Sequence, residues 1–174
     1  MPGDDPAPLI KQTLYDNAVL VTRFVSMLSQ GKNVPAQVHA TYFRCLDRYL
    51  SNPLLDCRNP LAVILNMAER VVRGTLQVPG EVPPAFARHF TVGRTAVERA
   101  QWQLVEEIVH DRVSERLWPM AVLLFDSQHG YDFRSMESRE RTRLWSSLLG
   151  IPQAEVRKRI DQIRRQINRG REGR

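Results

Sequence analysis

The sequence predicts an all-α fold: two small helical domains joined by a proline-rich linker, the second ending in a helix-turn-helix. Three observations predict it. Apolar residues recur at helical spacing through most of the chain. No apolar–polar alternation persists beyond a few residues, which excludes a half-buried sheet. Proline and glycine divide the chain into segments of helical length.

Taken in order, Leu9 to Gln30 carries Leu14, Ala18, Val21, Val25 and Leu28 on one stripe, and Gly31 ends it. Pro35 opens a second helix to about Leu50, with Val38, Tyr42, Cys45 or Leu46, and Tyr49 facing inward. Ser51-Asn52-Pro53 breaks it, and 52–59 reads as a loop. Pro60 stands at the favoured first position of a third helix, running to about Leu76. That helix is apolar on most sides and is expected at the centre of the N-terminal core. Three prolines and a glycine between Val78 and Pro84 cannot continue a helix, so a boundary is expected there. The division is residues 1–77, a linker 78–94, and residues 95–174. Beyond the linker, Thr95 to Arg116 forms a long helix with Val97, Trp102, Val105, Ile108 and Val109 on its apolar side. Shorter helices follow at Pro119 to Ser127, Ser138 to Leu149 and Gln153 to Asn168. Trp102, Trp118 and Trp145 read as core anchors, Trp145 between the last two helices.

The net charge of +6 has a location. From Arg157 to Arg174 there are eight Lys or Arg against Asp161 and Glu172, so the whole excess lies in the last eighteen residues. A localised excess favours contact with a polyanion over a generally basic surface. Cys45 and Cys57 supply neither a disulfide framework nor a CxxC pair, and read as buried or half-buried thiols. The four histidines lie far apart, read as surface or capping residues, and suggest no metal site. Glu106, Glu107 and Asp111 read as a solvated face. With no phosphate loop, GxSxG or HExxH, the chain is expected to have no catalytic residues and no cofactor. No basic, apolar leader and no membrane-length apolar run are present, so a cytoplasmic protein that is not membrane-embedded is expected.

The most informative local pattern is Leu148-Leu149-Gly150-Ile151-Pro152 between two helices. Glycine permits a positive φ in the turn and Pro152 can start the next helix. In that helix Val156, Ile160, Ile163 and Ile167 form one apolar stripe, leaving Arg157, Lys158, Arg164 and Arg165 on solvated faces. A helix docked by such a stripe can present its other face to a DNA groove. Lys and Arg would supply affinity at phosphates, while Gln153, Arg157 and Lys158 could reach base edges.

These pieces together resemble the extracytoplasmic-function (ECF) sigma factors, particularly their iron-transport branch. Leu14-Tyr15 and the segment Ala36 to Tyr49, with Phe43, resemble that family's first two helices. Asn59-Pro60-Leu61-Ala62, then Ile64 to Val72, is similar to its "DPRxxLxxIAxRxxxD" helix. Met120 to Phe125 resembles the helix after its "LP" segment. Leu149-Gly150-Ile151-Pro152 followed by Val156-Arg157-Lys158-Arg159-Ile160 resembles its "LGIPxxxVxxRL" unit. The resemblance implies a two-domain transcription initiation factor whose partners are core RNA polymerase, promoter DNA and an anti-sigma or membrane-linked regulator, with no small-molecule substrate. It implies polymerase-clamp contacts at Gln37, Thr41 and Arg44. Minus-ten contacts would lie at Arg58, Asn59, Asn66, Arg70 and Arg73. Minus-thirty-five contacts would lie at Gln153, Arg157, Lys158 and Arg159; Arg164 and Arg165 are expected to touch DNA from the solvated basic faces of the same helix.

The chain departs from that pattern in two places. Where the family has an acidic "DAEDLVQE", this chain has Pro35-Ala36-Gln37-Val38-His39-Ala40-Thr41, with no carboxylate to make charge-assisted contacts to a basic clamp. Tyr131 to Ser138 reads as an insertion before the last two helices. A sigma-like helix-turn-helix regulator or adaptor without ordinary clamp binding, and a helical scaffold subunit, therefore stand as alternatives.

Overall fold

The computed structural model describes residues 6–51, 59–74, 82–126 and 137–172. It is all-α, with no strand among the described residues. The helices are α1 (Pro6–Asp16), α2 (Ala18–Ser29), α3 (Val34–Ser51), α4 (Pro60–Arg73), α5 (Pro84–His89), α6 (Ala96–Arg112), α7 (Trp118–Asp126), α8 (Ser138–Leu149) and α9 (Gln153–Glu172). A 3-10 turn, Glu115–Leu117, leads from α6 into α7.

The helix expected from Leu9 to Gln30 is two helices. Asn17 leaves helical geometry (φ −113°, ψ 27°), and its side-chain amide donates to the Thr13 carbonyl at 2.9 Å. A short polar side chain competes in this way for backbone groups that a helix would use itself. Gln30 and Gly31, both at positive φ, close α2, with the Gly31 N–H donating to the Ser26 carbonyl.

The helix buried on nearly all sides is α2, while α4 packs against α1, α2 and α3 at the centre of the N-terminal helices. Every α2 residue from Leu20 to Leu28 is buried. In contrast, α4 buries one face (Leu61, Ile64, Leu65, Met67, Ala68, Val71) and exposes Asn66, Arg70 and Arg73. Against α2 lies α7, itself buried over Trp118 to Leu123. Two helices sheathed on nearly all sides can bury no unsatisfied charge without a large penalty, yet α2 contains Arg23. Its Nη1 donates to Asp126 Oδ1 of α7 at 2.8 Å and its Nε to the Val92 carbonyl at 2.7 Å. The guanidinium lies 4.7 Å from the Trp102 ring centroid of α6. The two side chains of the ion pair are 2% and 1% exposed.

This packing crosses the boundary expected at 78–94. Helix α2 meets α7 and α4 meets α8, and all described helices contribute to one buried cluster. The two-domain division is not confirmed. Residues 78–81 lie outside the described residues, but 82–94, expected as linker, carry α5 and are built into the core. Phe86 and Phe90 stack at 4.2 Å and meet Tyr15 of α1 and the α3 side. Gly93 then passes so close to the first turn of α6 that a Cβ there would lie 2.6 Å from the Arg99 nitrogen. Thr95 caps α6 by accepting from the Glu98 N–H, while the Glu98 carboxylate accepts from the Arg94 N–H. That reciprocal arrangement is a close relative of the capping box.

Of the histidines expected at the surface or as caps, His39 differs, while His110 caps the last turn of α2. His39 is 7% exposed, packed edge-on between Phe43 and Phe86, and burial holds its pKa below the usual value. His110 donates from Nε2 to the Met27 carbonyl at 2.8 Å and packs on Trp118. His89 is exposed, and His129 lies outside the described residues. Cys45 is buried as expected, its thiol pushed up to about 12 by desolvation despite the nearby Arg48 charge; Cys57 lies outside the described residues. All three tryptophans are buried. Val97 and Ile108, expected on the apolar side of α6, are exposed. Glu106, expected to be solvated, accepts from Trp102 Nε1.

Candidate nucleic-acid interface

The α8–turn–α9 unit is built locally. Gly150 ends α8 in the left-handed region (φ 64°), where a side chain would cost about 1–2 kcal/mol. The Ser146 carbonyl accepts from the Gly150 and Ile151 N–H groups, and Ser146 Oγ donates back to the Ile151 carbonyl. Pro152 precedes α9, and its carbonyl accepts from the Val156 N–H. Three residues therefore join two helices whose inner faces meet. Thr142, Trp145 and Leu148 are buried on α8, Val156 and Ile163 on α9, with Ile160 and Ile167 half-buried beside them.

Helix α9 has three distinct faces. The apolar stripe packs on α7 and α8. A polar flank holds the corner after α6: Gln166 Oε1 accepts from the Ser114 N–H, Gln162 Oε1 from Arg116, and the Ile167 carbonyl from Arg112. The third face is solvated and carries Gln153, Arg157, Lys158, Asp161, Arg164, Arg165 and Asn168. Arg157 and Arg164 form one row, seven residues apart, and Lys158 and Arg165 a second. Among the described residues none of these four pairs with a carboxylate. Arg159 differs from expectation: it is half-buried and bonded to Glu155 at 3.1 Å, turned from the basic rows.

Sequence reasoning missed the contribution of α8 to this surface. Arg141 lies with its guanidinium 5.9 Å from the Trp145 ring centroid. It joins Arg157 and Arg164 around a groove of about 210 Å³ between the two helices, with Ser138 at the rim. Arg139 and Arg143 are exposed on the same helix. The signal was present as alternate arginines at 139, 141 and 143, but only the α8–α9 packing brings one of them beside α9.

The residues implied in the first half are scattered among different roles. Asn59 accepts from the Ala62 N–H to cap α4, and donates to Ser147 Oγ of α8 at 2.7 Å. Asn66, Arg70 and Arg73 lie on one exposed face of α4, with Arg73 paired to Glu69 at 3.1 Å. Arg58 lies outside the described residues. On α3, Arg44 is exposed, and Gln37 is half-buried and donates to the Lys32 carbonyl. Thr41 is 0% exposed, its hydroxyl donating to the Gln37 carbonyl. A surface contact at Thr41 is not available in this packing, because its side chain is buried and its hydroxyl is bonded within α3.

Among the described residues no group of three or more His, Cys, Asp or Glu side chains could hold a metal ion, and no helix is long and apolar enough to cross a membrane. Compared with family models, with curated proteins and with solved structures, the chain matches none.

Proposed function

We propose that this chain binds duplex DNA through α9, with α8 and the Gly150 turn as the supporting half of a helix-turn-helix. The observation that carries the reading is the pair of basic rows, Arg157/Arg164 and Lys158/Arg165, on a face that no other helix covers. An α-helix fits a major groove about 12 Å wide. Rows on both sides of its outward ridge suit the phosphates flanking that groove, and Arg141 extends one row on to α8. Gln153 and Arg157, at the start of the helix, have the donors to read base edges. Fluorescence anisotropy with mixed duplexes at graded salt tests the reading. Binding that weakens steeply with salt supports it, and absence of duplex binding at low salt overturns it.

The finer reading is a divergent ECF-type sigma factor acting in the cytoplasm with core RNA polymerase. Its support is the order of resembling segments, above all Leu149 to Ile160. Retention on purified bacterial core polymerase at physiological salt tests it, with an acidic family member as positive control. Three observations favour the second reading, a sigma-like regulator or adaptor without ordinary clamp binding. Thr41 is interior, α3 has no carboxylate in its first turn, and Asn59 is engaged with Ser147. Duplex binding without polymerase retention selects that second reading.

A further inference from the structure

Helix α6 contributes little to its own core. Of its seventeen residues only Trp102 and Val109 are buried. Its outward face carries Val97, Leu104 and Ile108, which are 66%, 59% and 41% exposed. With Gln101 and Asp111 these residues step along the helix by four, three, four and three. Those steps keep all five on one side of the helix, the spacing that a two-helix seam would use. Single exposed apolar residues are ordinary, whereas these three share one side of α6.

We infer that this chain self-associates through α6, two copies packing antiparallel about a twofold axis. The charges select both the occupant and the direction. In the antiparallel register Val97 faces Ile108 of the second copy, Gln101 faces Leu104, and Arg94, just before the helix, faces Asp111. The twofold axis repeats each pairing. Glu107 then lies beside the second copy's Ala100, so no like charges meet. A parallel pair would set Asp111 against Asp111 and Arg94 against Arg94, both repulsive. Asp111 is 59% exposed and 3.8 Å from Arg112 of its own chain, so the contact across the axis adds to a pair it already has. The seam is complementary to itself and needs no other sequence. Gln101 within it favours one register at a cost in strength. Association is expected with a Kd on the order of 10–100 µM, as befits an interface at the small end of specific contacts. This inference is independent of DNA binding by α9.

Sedimentation equilibrium on the full chain tests it, with Leu104→Glu as the disabling variant. Leu104 is on the surface, so circular dichroism, and Tm at concentrations below the dimer Kd, should be unchanged while dimerisation weakens tenfold or more. Direction is read by cysteine crosslinking in a Cys57→Ser background, mixing Val97→Cys with Ile108→Cys. Mixed 97–108 disulfides, in excess over 97–97 and 108–108 products, are expected. Homodisulfides in excess overturn the antiparallel arrangement. A wild-type chain that stays monomeric tenfold above the expected Kd, or a dimer indifferent to Leu104→Glu, overturns α6 as the interface.

Discussion

Replacing Arg23 with methionine is the most direct test of how the core is held. The guanidinium has three neighbours from three other parts of the chain: Asp126, the Val92 carbonyl and the Trp102 ring. Methionine keeps the length and apolar character of the stem and removes the charge. The Asp126 carboxylate, 1% exposed, then loses the Arg23 guanidinium that faces it at 2.8 Å. Removing one member of a buried pair costs about 3–5 kcal/mol. At roughly 2–4 °C per kcal/mol for a chain of this size, Tm should fall by about 6–20 °C. Urea unfolding followed by tryptophan fluorescence measures the change, with Trp102 beside the site as reporter. Arg23→Met combined with Asp126→Leu removes both charges, and should recover most of the loss because a desolvated pair is often no better than apolar packing. A loss below about 1 kcal/mol in the single variant, the value of a surface pair, would refute the argument. So would a double variant as unstable as the single, since the cost would then be one of shape.

Four further outcomes are expected. Neutralising Arg157, Lys158, Arg164 and Arg165 should flatten the slope of log K against log salt for duplex DNA by up to about 3.6, at about 0.9 per phosphate contact; an unchanged slope would remove α9 from the interface. His39 has a folded pKa below its unfolded value of 6.5, so its contribution to stability is fully present above pH 6.5 and lost as pH falls from there toward the lowered pKa. Urea titrations between pH 7 and 5 should therefore show a shallower acid decline for His39→Phe than for wild type. Gly93→Ala drives a methyl into the backbone of the first turn of α6 and should cost about 1–3 kcal/mol as overpacking, read as a lower urea midpoint. Cleavage at a protease site engineered into 78–84 should leave the two fragments co-eluting on size exclusion, because α2–α7 and α4–α8 contacts span the cut; separately eluting folded halves would restore two autonomous domains.

What could be read from the sequence was local. The bounds of α8 and the start of α9 follow from Gly150 and Pro152, which act on their immediate neighbours, and the buried tryptophans follow from size and apolarity. The break at Asn17 was hidden because Leu14 and Ala18 keep helical spacing across it. Helix α5 was hidden by its prolines, although Phe86 and Phe90 beside them are the kind of side chains a core recruits. Arg23 carries no local sign of burial, since its counter-ion lies 103 positions away. In the candidate interface the basic rows of α9 followed from periodicity. The pairing of Arg159 with Glu155, the place of Arg141 beside α9 and the interior position of Thr41 depend on how helices pack, which spacing alone does not encode.

The separation of Arg23 from Asp126 has a consequence for how the chain assembles as it is made. A ribosome adding about 5–20 residues per second needs roughly 5–20 seconds to travel those 103 positions. Throughout that interval the nascent α2 holds a cation whose burial would be penalised. The side of α2 around Arg23 that α7 later covers therefore stays open to water. The order of synthesis thus postpones closure of the core until α7 emerges, and leaves α2 as the segment most in need of protection from wrong partners until then.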